Sequence, residues 1–167
     1  MNSKSLLRHL LVIGALGSAS QFAVAATSTA QTFGVSANVA SACLISATAL
    51  GFGTYDPQSA SDNLAQSTVT VTCSKNAPVT VALDKGIGGA SETTRTMSNG
   101  TQAPMNYALF SDSARSANWG TTAGAVSATG NGLGAGVVLN VYGKIPKSQL
   151  DVGVGAYADT ITATVTY

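Results

Sequence analysis

An alternating stretch near the front of the chain, Thr32–Cys43, constrains the fold most strongly. Phe33, Val35, Ala37 and Val39 are apolar or small, and the residues between them are polar or nearly featureless. Strict alternation over these eight or so positions predicts an extended strand with one buried face. Alternation does not say whose core buries that face. The segment is either the first strand of a self-sufficient sandwich or, as we hypothesise, a strand that completes a neighbouring copy.

The first 25 residues have the three-part layout of a secretory signal peptide. A basic start with Lys4 and Arg8 precedes an apolar run, Leu10–Ala19, and the small-x-small cleavage site Ala23-Val24-Ala25. The apolar run is well short of the roughly 20 residues that span a bilayer, so a membrane anchor is the weaker interpretation. We expect cleavage after Ala25 and an exported mature chain, residues 26–167, with no membrane insertion.

The mature chain carries few charges, and these nearly cancel. Charged residues make up 9% of the sequence, far below the usual quarter or so. Removing the leader takes away Lys4, Arg8 and the only histidine, His9, so that six of eight basic residues remain beside seven acidic ones. This balance offers no basic patch for nucleic acid or acidic lipid, and we expect neither as a partner.

Two cysteines, Cys43 and Cys73, belong to the exported part of the chain. In an oxidising compartment they predict one disulfide. A metal pair is the alternative, but two thiols without a histidine do not complete a tetrahedral zinc site. We expect no metal and no cofactor.

Several further segments alternate as strands do, and turn signals separate them. The predicted strands are Ser67–Cys73, Pro78–Leu83, Pro104–Phe110, Val137–Tyr142 and Tyr157–Tyr167, with two shorter ones inside Leu44–Tyr55. Gln58–Gln66 and Thr121–Gly136 are predicted loops, and Asn99-Gly100 is a hairpin signal. No window has helical periodicity, which indicates an all-β, antiparallel sandwich of one domain.

The residues that an enzyme needs are largely missing from the mature chain. Without a histidine it lacks the commonest general base, and its carboxylates are scattered among turns. The relaxed GxGxxA of Gly130–Ala135 feeds a Val-rich segment rather than a helix, which argues against a phosphate-binding loop. Trp119, Tyr107 and Tyr142 could stack on a sugar, although aromatic residues of a sandwich more often belong to the core. We predict that the chain is not an enzyme.

Five features in order resemble the spore coat protein U domain family, which includes subunits of archaic, Csu-type chaperone–usher pili. They are the export signal with the alternating Phe33-x-Val35-x-Ala37-x-Val39, then Thr70-Val71-x-Cys73, Tyr107-x-Leu109-Phe110, Trp119-Gly120 and the terminal Tyr157-x-Asp159-Thr160 with Val165-x-Tyr167. The resemblance covers essentially the whole mature chain.

The resemblance implies an immunoglobulin-like sandwich that lacks its last strand and leaves an open apolar groove. A periplasmic chaperone would lend a strand to that groove, and at the outer-membrane usher the N-terminal strand of the next subunit would replace it. Carried over here, the donor is roughly Thr29–Val39, with Phe33, Val35, Ala37 and Val39 filling the groove, and Cys43 and Cys73 form the disulfide. The implied function is a structural pilus subunit that supports adhesion or biofilm formation.

The implied organisation is a signal peptide over residues 1–25, a donor segment over 26–42 and an incomplete sandwich over 43–167. Two alternatives stay open at this point. One is a secreted coat or surface protein with the same sandwich that builds no pilus, and the other is a sugar-binding sandwich module.

Overall fold

The computed structural model describes residues 25–121 and 124–167. The chain divides into two units, Met1–Ala37 and Asn38–Tyr167. In the first unit the described residues, 25–37, form neither helix nor strand. The predicted signal peptide lies outside the described residues, except for Ala25.

The unit Asn38–Tyr167 is built from β-strands, and its described residues contain no helix. The strands are β1 (Cys43–Ala47), β2 (Asn63–Cys73), β3 (Pro78–Leu83), β4 (Arg95–Met97), β5 (Met105–Phe110), β6 (Val126–Thr129), β7 (Val137–Ile145) and β8 (Ala163–Thr166). None of the described residues belongs to a helix that could cross a lipid bilayer.

The strands form two antiparallel sheets. The five-stranded sheet has the order β1-β2-β7-β5-β4, and the three-stranded sheet has the order β6-β3-β8. All named pairs are antiparallel. Most neighbours in these sheets are distant in sequence, as in sandwiches whose strands cross from one sheet to the other. The predicted all-β antiparallel sandwich is confirmed.

The core lies between the sheets, where the alternating side chains of β2 and β3 face each other. Val69, Val71 and Cys73 on β2 are buried, and the intervening threonines are half-buried. On β3 the inward residues are Val79, Val81 and Leu83. These are the inward faces that the alternation predicts, because successive strand side chains point to opposite sides of a sheet.

Trp119 joins the two layers of the core. Its side chain is fully buried, and the indole Nε1–H donates to the carbonyl oxygen of Val81 at 2.9 Å. Tyr107 is also buried. Trp119 and Tyr107 therefore belong to the core, as aromatic residues of a sandwich more often do, and solvent does not reach them for stacking on a sugar, whereas Tyr142 is half-buried.

Several predicted boundaries differ from the structure. The predicted strand of Thr32–Cys43 is not formed, and β1 begins only at Cys43. The residues before Cys43 pair with no described strand, and a strand without a partner is not stable on its own. Likewise, Leu44–Tyr55 supplies one strand instead of two. The predicted loop Thr121–Gly136 contains β6, which pairs with β3. β2 and β7 are longer than predicted, because Asn63–Gln66 pairs with Tyr142–Ile145.

Candidate partner-binding cleft

The two sheets leave neighbouring edges unpaired on one side of the sandwich. Within residues 25–121 and 124–167, β1 lies at the edge of its sheet and pairs only with β2, and β8 lies at the edge of the other sheet and pairs only with β3. Cα atoms of β1 and β8 approach to within 8 Å. An edge strand presents a row of free N–H and C=O groups that can pair with another strand. Two such edges therefore flank one side of the core.

A cleft of about 460 Å³ lies beside these edges, where β1 ends and β8 begins. One wall is the chain that continues from β1, residues 47–52, and the other is the segment Tyr157–Ala163 that leads into β8. The floor is formed by buried apolar side chains of the core, among them Val69, Leu83, Leu109 and Val141. A second cavity of about 600 Å³ shares lining residues with the first: Leu50, Phe52, Met97 and Tyr157. The two cavities are therefore neighbours along the same wall.

The first wall exists because the chain leaves the sheet after β1. The amide of Thr48 still donates to Thr68 O at 2.9 Å, but the buried Ser67 hydroxyl then donates to the carbonyls of Thr48 and Ala49. The Ser67 side chain thus replaces the ladder bonds that a longer β1 would make. Released from the ladder, the following residues cover the end of the core.

Leu50 and Phe52 pack over Gly143 of β7, where a side chain would not fit. A Cβ at Gly143 would lie 2.7 Å from Phe52 Cζ and 3.0 Å from Leu50 Cδ2. The Phe52 ring also meets the Tyr107 ring edge-on, with centroids 6.2 Å apart and planes at 67°. Both side chains remain only half-buried, so the wall presents apolar surface to the cleft.

The second wall is a strand-like segment that changes sheets. Ala158 exchanges two hydrogen bonds with Ser98, which follows β4. Ladder pairing with β3 begins only at Ala163, which is opposite Leu83. The predicted strand Tyr157–Tyr167 is therefore interrupted. The half-buried side chains of Ile161, Ala163 and Val165 pack against the core from the side of the cleft.

Two carboxylates bind the residues between Ala158 and β8. Asp159 Oδ2 accepts the Tyr107 hydroxyl at 2.6 Å, and its Oδ1 accepts the amides of Ile87 and Thr160, each at 2.8 Å. Asp84 Oδ1 accepts the amides of Thr162 at 2.9 Å and Gly86 at 3.0 Å. The scattered carboxylates that the sequence assigned to turns thus include two that build a wall of the cleft.

Arg95 is a buried cation that sequence reasoning missed. It is fully buried, and its guanidinium donates to four carbonyl oxygens, those of Leu83, Asp84, Glu92 and Trp119, at 2.6 to 3.2 Å. Burial lowers the pKa of Arg95, while Tyr107, Glu92, Asp84 and Asp159 act in the opposite direction. Only the folded chain brings these carbonyls together, so no local sequence pattern predicts that Arg95 is buried among them.

The same surroundings shift two pKa values beside the cleft. Burial raises the pKa of Asp84, but the hydrogen bonds from Thr162 and Gly86 outweigh it, and the net pKa lies below the ordinary value. The pKa of Tyr107 is raised far above its ordinary value, first by burial and then by the hydrogen bond to Asp159. Tyr107 is therefore a neutral donor and Asp84 a charged acceptor under ordinary conditions.

The predicted donor residues are exposed. Phe33 is 86%, Val35 85% and Val39 90% exposed, and Ala37 is exposed as well. Every residue from 25 to 42 is exposed, so neither face of this segment is buried in the structure. That they fill the cleft of a neighbouring copy stays a prediction.

The remaining predicted site features are placed as follows. The disulfide between Cys43 and Cys73 is present. The glycine-rich stretch Gly130–Gly136 leads directly into β7, with no helix that could receive a phosphate. Among the described residues, no group of three or more His, Cys, Asp or Glu side chains is placed to hold a metal ion.

The comparisons with known proteins agree with this architecture. No curated protein matches the chain significantly. One similar solved structure is the crystal structure of the CsuC–CsuE chaperone–tip adhesion subunit pre-assembly complex from archaic chaperone–usher Csu pili of Acinetobacter baumannii. The similarity has 27% sequence identity and a TM-score of 0.56, and it covers 77% of this chain but only 40% of that one. Residues 29–164 match the model of the Spore Coat Protein U domain. The chain therefore belongs to the Spore Coat Protein U domain family.

Proposed function

We propose that the chain is a structural subunit of a cell-surface pilus that is assembled by donor-strand complementation. In this proposal residues 26–42 of one copy form the donor segment, and residues 43–167 of the next copy form the incomplete immunoglobulin-like sandwich that accepts it. The observation that carries the proposal is the apolar cleft beside the unpaired edges of β1 and β8. The pilus would support adhesion or biofilm formation.

The energetics favour such an exchange. Burying Phe33, Val35 and Val39 would contribute roughly 1.5–3 kcal/mol each before ordering costs. A main-chain ladder along the free edge of β8 would add about 0.5–1.5 kcal/mol for each hydrogen bond. A head-to-tail contact that does not close into a ring produces a filament when repeated. One inserted strand would therefore supply both affinity and the direction of growth.

An open apolar cleft makes a subunit without a partner prone to aggregation. Free strand edges and apolar surface invite aggregation, so we propose that a periplasmic chaperone fills the cleft first and that the exchange takes place at an outer-membrane usher. The similarity to a structure that contains a chaperone–subunit pre-assembly complex supports this route. We propose export through the periplasm to the cell surface, and a role that involves no catalysis.

The proposal is tested with the purified mature chain, with and without a co-expressed periplasmic chaperone, by size-exclusion chromatography and electron microscopy. We expect a one-to-one complex with the chaperone and head-to-tail filaments after the chaperone is released. A chain that lacks Ala26–Asn38 should still bind the chaperone but should not donate. A secreted coat protein that builds no pilus would give neither complex nor filaments, and this result would contradict the proposal.

A further inference from the structure

Tyr107 and Asp159 both line the cleft, and the Tyr107 hydroxyl donates to the Asp159 carboxylate there. The Asp159 carboxylate lies against Gly86, where a Cβ would overlap Asp159 Oδ2. Gly86 also has a φ of +77°, a conformation that favours glycine. The chain thus leaves a fitted space for this carboxylate beside the Tyr107 hydroxyl.

The segment between Ala158 and Ala163 depends on side-chain bonds of this kind. Asp159 and Thr160 lie outside the named strands, and the amides of Thr160 and Thr162 are bound by the carboxylates of Asp159 and Asp84. The backbone ladder to β3 reaches this segment through the single bond from the Asp84 amide to Thr162 O at 3.1 Å. A backbone held by few ladder bonds opens easily unless other groups bind it.

We propose that Tyr107 and Asp159 are positioning residues for strand capture: their hydrogen bond holds residues 159–162 in place at the cleft, where an incoming strand can join them. The inference rests on the proposed donor-strand function. A preformed edge spares the partner the entropy of ordering it, and this kind of preorganisation raises affinity. Without the bond, the segment would have to be ordered during capture.

The test measures the affinity of the full mature chain for a labelled synthetic peptide that corresponds to residues 29–42. Tyr107→Phe removes one hydroxyl and keeps the ring that packs on Phe52, and Asp159→Ala removes the acceptor. We expect both to weaken peptide binding by about tenfold or more, mainly through slower capture. Asp159→Asn should retain most of the affinity, because its amide can donate to Tyr107 Oη while its oxygen still accepts from Ile87 and Thr160.

Tyr55→Phe is the matched control. Its hydroxyl donates to Pro146 O and accepts from the Gln149 amide, so it fixes a connection beside the second cavity and not the segment between Ala158 and Ala163. We expect this variant to bind the peptide as the wild type does. Hydrogen exchange supplies the second measurement: Tyr107→Phe should speed exchange at Thr160 and Thr162 while the amides of β2 and β3 remain protected.

The outcomes separate the inference from the function on which it rests. If the wild type binds the peptide and Tyr107→Phe binds it equally well, the positioning role is wrong and the donor-strand function stands. A Tyr107→Phe variant that merely melts at lower temperature, with unchanged peptide affinity when folded, also overturns the positioning role. If the wild type does not bind the peptide, the proposed donor-strand function is wrong, and this inference, which rests on it, is wrong as well.

Discussion

Cys43 and Cys73 lie directly opposite each other in the β1–β2 ladder, and a disulfide joins them with their Cα atoms 4.1 Å apart. β1 has five residues, and no strand of the described part of the chain pairs with its outer side. A covalent bond at its first residue therefore anchors this short edge strand to β2. Because the chain that follows β1 forms a wall of the cleft, the disulfide also fixes where that wall begins.

Replacing both cysteines with serine should lower the free energy of unfolding by about 3–4 kcal/mol, because the unfolded chain loses the restraint of a closed loop of roughly 30 residues. Urea unfolding of the wild type, with and without reductant, and of the Cys43→Ser/Cys73→Ser variant measures the difference. The reduced wild type should match the variant. Equal stability of all three samples would show that β1 needs no covalent anchor.

Trp119→Ala should lower the free energy of unfolding by about 3–5 kcal/mol, because it opens a cavity in the centre of the core. Trp119→Phe should cost less, because it keeps an aromatic ring in the core. Some loss should remain, because Val81 O no longer has its indole donor. Chemical denaturation of both variants measures the two losses. A Trp119→Ala variant as stable as the wild type but selectively deficient in glycan binding would instead support a sugar-binding module.

The sandwich could be predicted from sequence because the alternation of β2 and β3 is strict. Val69, Val71 and Cys73 alternate with threonines, so the pattern assigns both the strand and its inward face. Val126–Thr129 could not be predicted in this way. Its four residues lie among glycine, alanine and serine, and only pairing with the distant β3 makes them a strand.

The cleft and the polar groups around it could not be predicted from local patterns. A missing neighbour leaves no mark in any sequence window, and most of the support for it comes from the family resemblance. Arg95 and Asp159 are residue types usually found at the surface. Their partners, which include Trp119 O and the Tyr107 hydroxyl, come from segments that only the folded chain brings together.

Gly143→Ala should destabilise the sandwich by about 1–3 kcal/mol, because the added methyl group overpacks the contact with Leu50 and Phe52. The displaced side chains should also narrow the cleft and weaken binding of the peptide of residues 29–42. Gly51→Ala is the control, since nothing lies within 4 Å of a Cβ at that position. Thermal unfolding and peptide titration of both variants measure the two effects. A Gly143→Ala variant with the stability and peptide affinity of the wild type would contradict the packing described for this wall.

The stability of the chain should fall as the pH rises above 10, in part because of Tyr107. Its ordinary pKa is 10.0 and burial raises the value in the folded chain, so the unfolded chain loses the proton first. The stabilisation is complete below pH 10 and is lost progressively as the pH rises toward the folded pKa. Urea unfolding from pH 8 to about 11.5 should show a smaller alkaline loss for Tyr107→Phe. Identical pH profiles for the wild type and Tyr107→Phe would contradict the burial and hydrogen bonding of the Tyr107 hydroxyl.

The central proposal is tested most directly by asking whether two variants, with substitutions at neighbouring positions of the donor segment, still form filaments. Val35→Asp places a carboxylate on the face of the donor segment that would be buried, where an unpaired charge is costly. Ser36→Asp places the same group on the opposite face and serves as the matched control. Electron microscopy of both, after chaperone release, should show normal filaments for Ser36→Asp and none for Val35→Asp. Filaments of normal length from Val35→Asp would contradict the assignment of the donor strand.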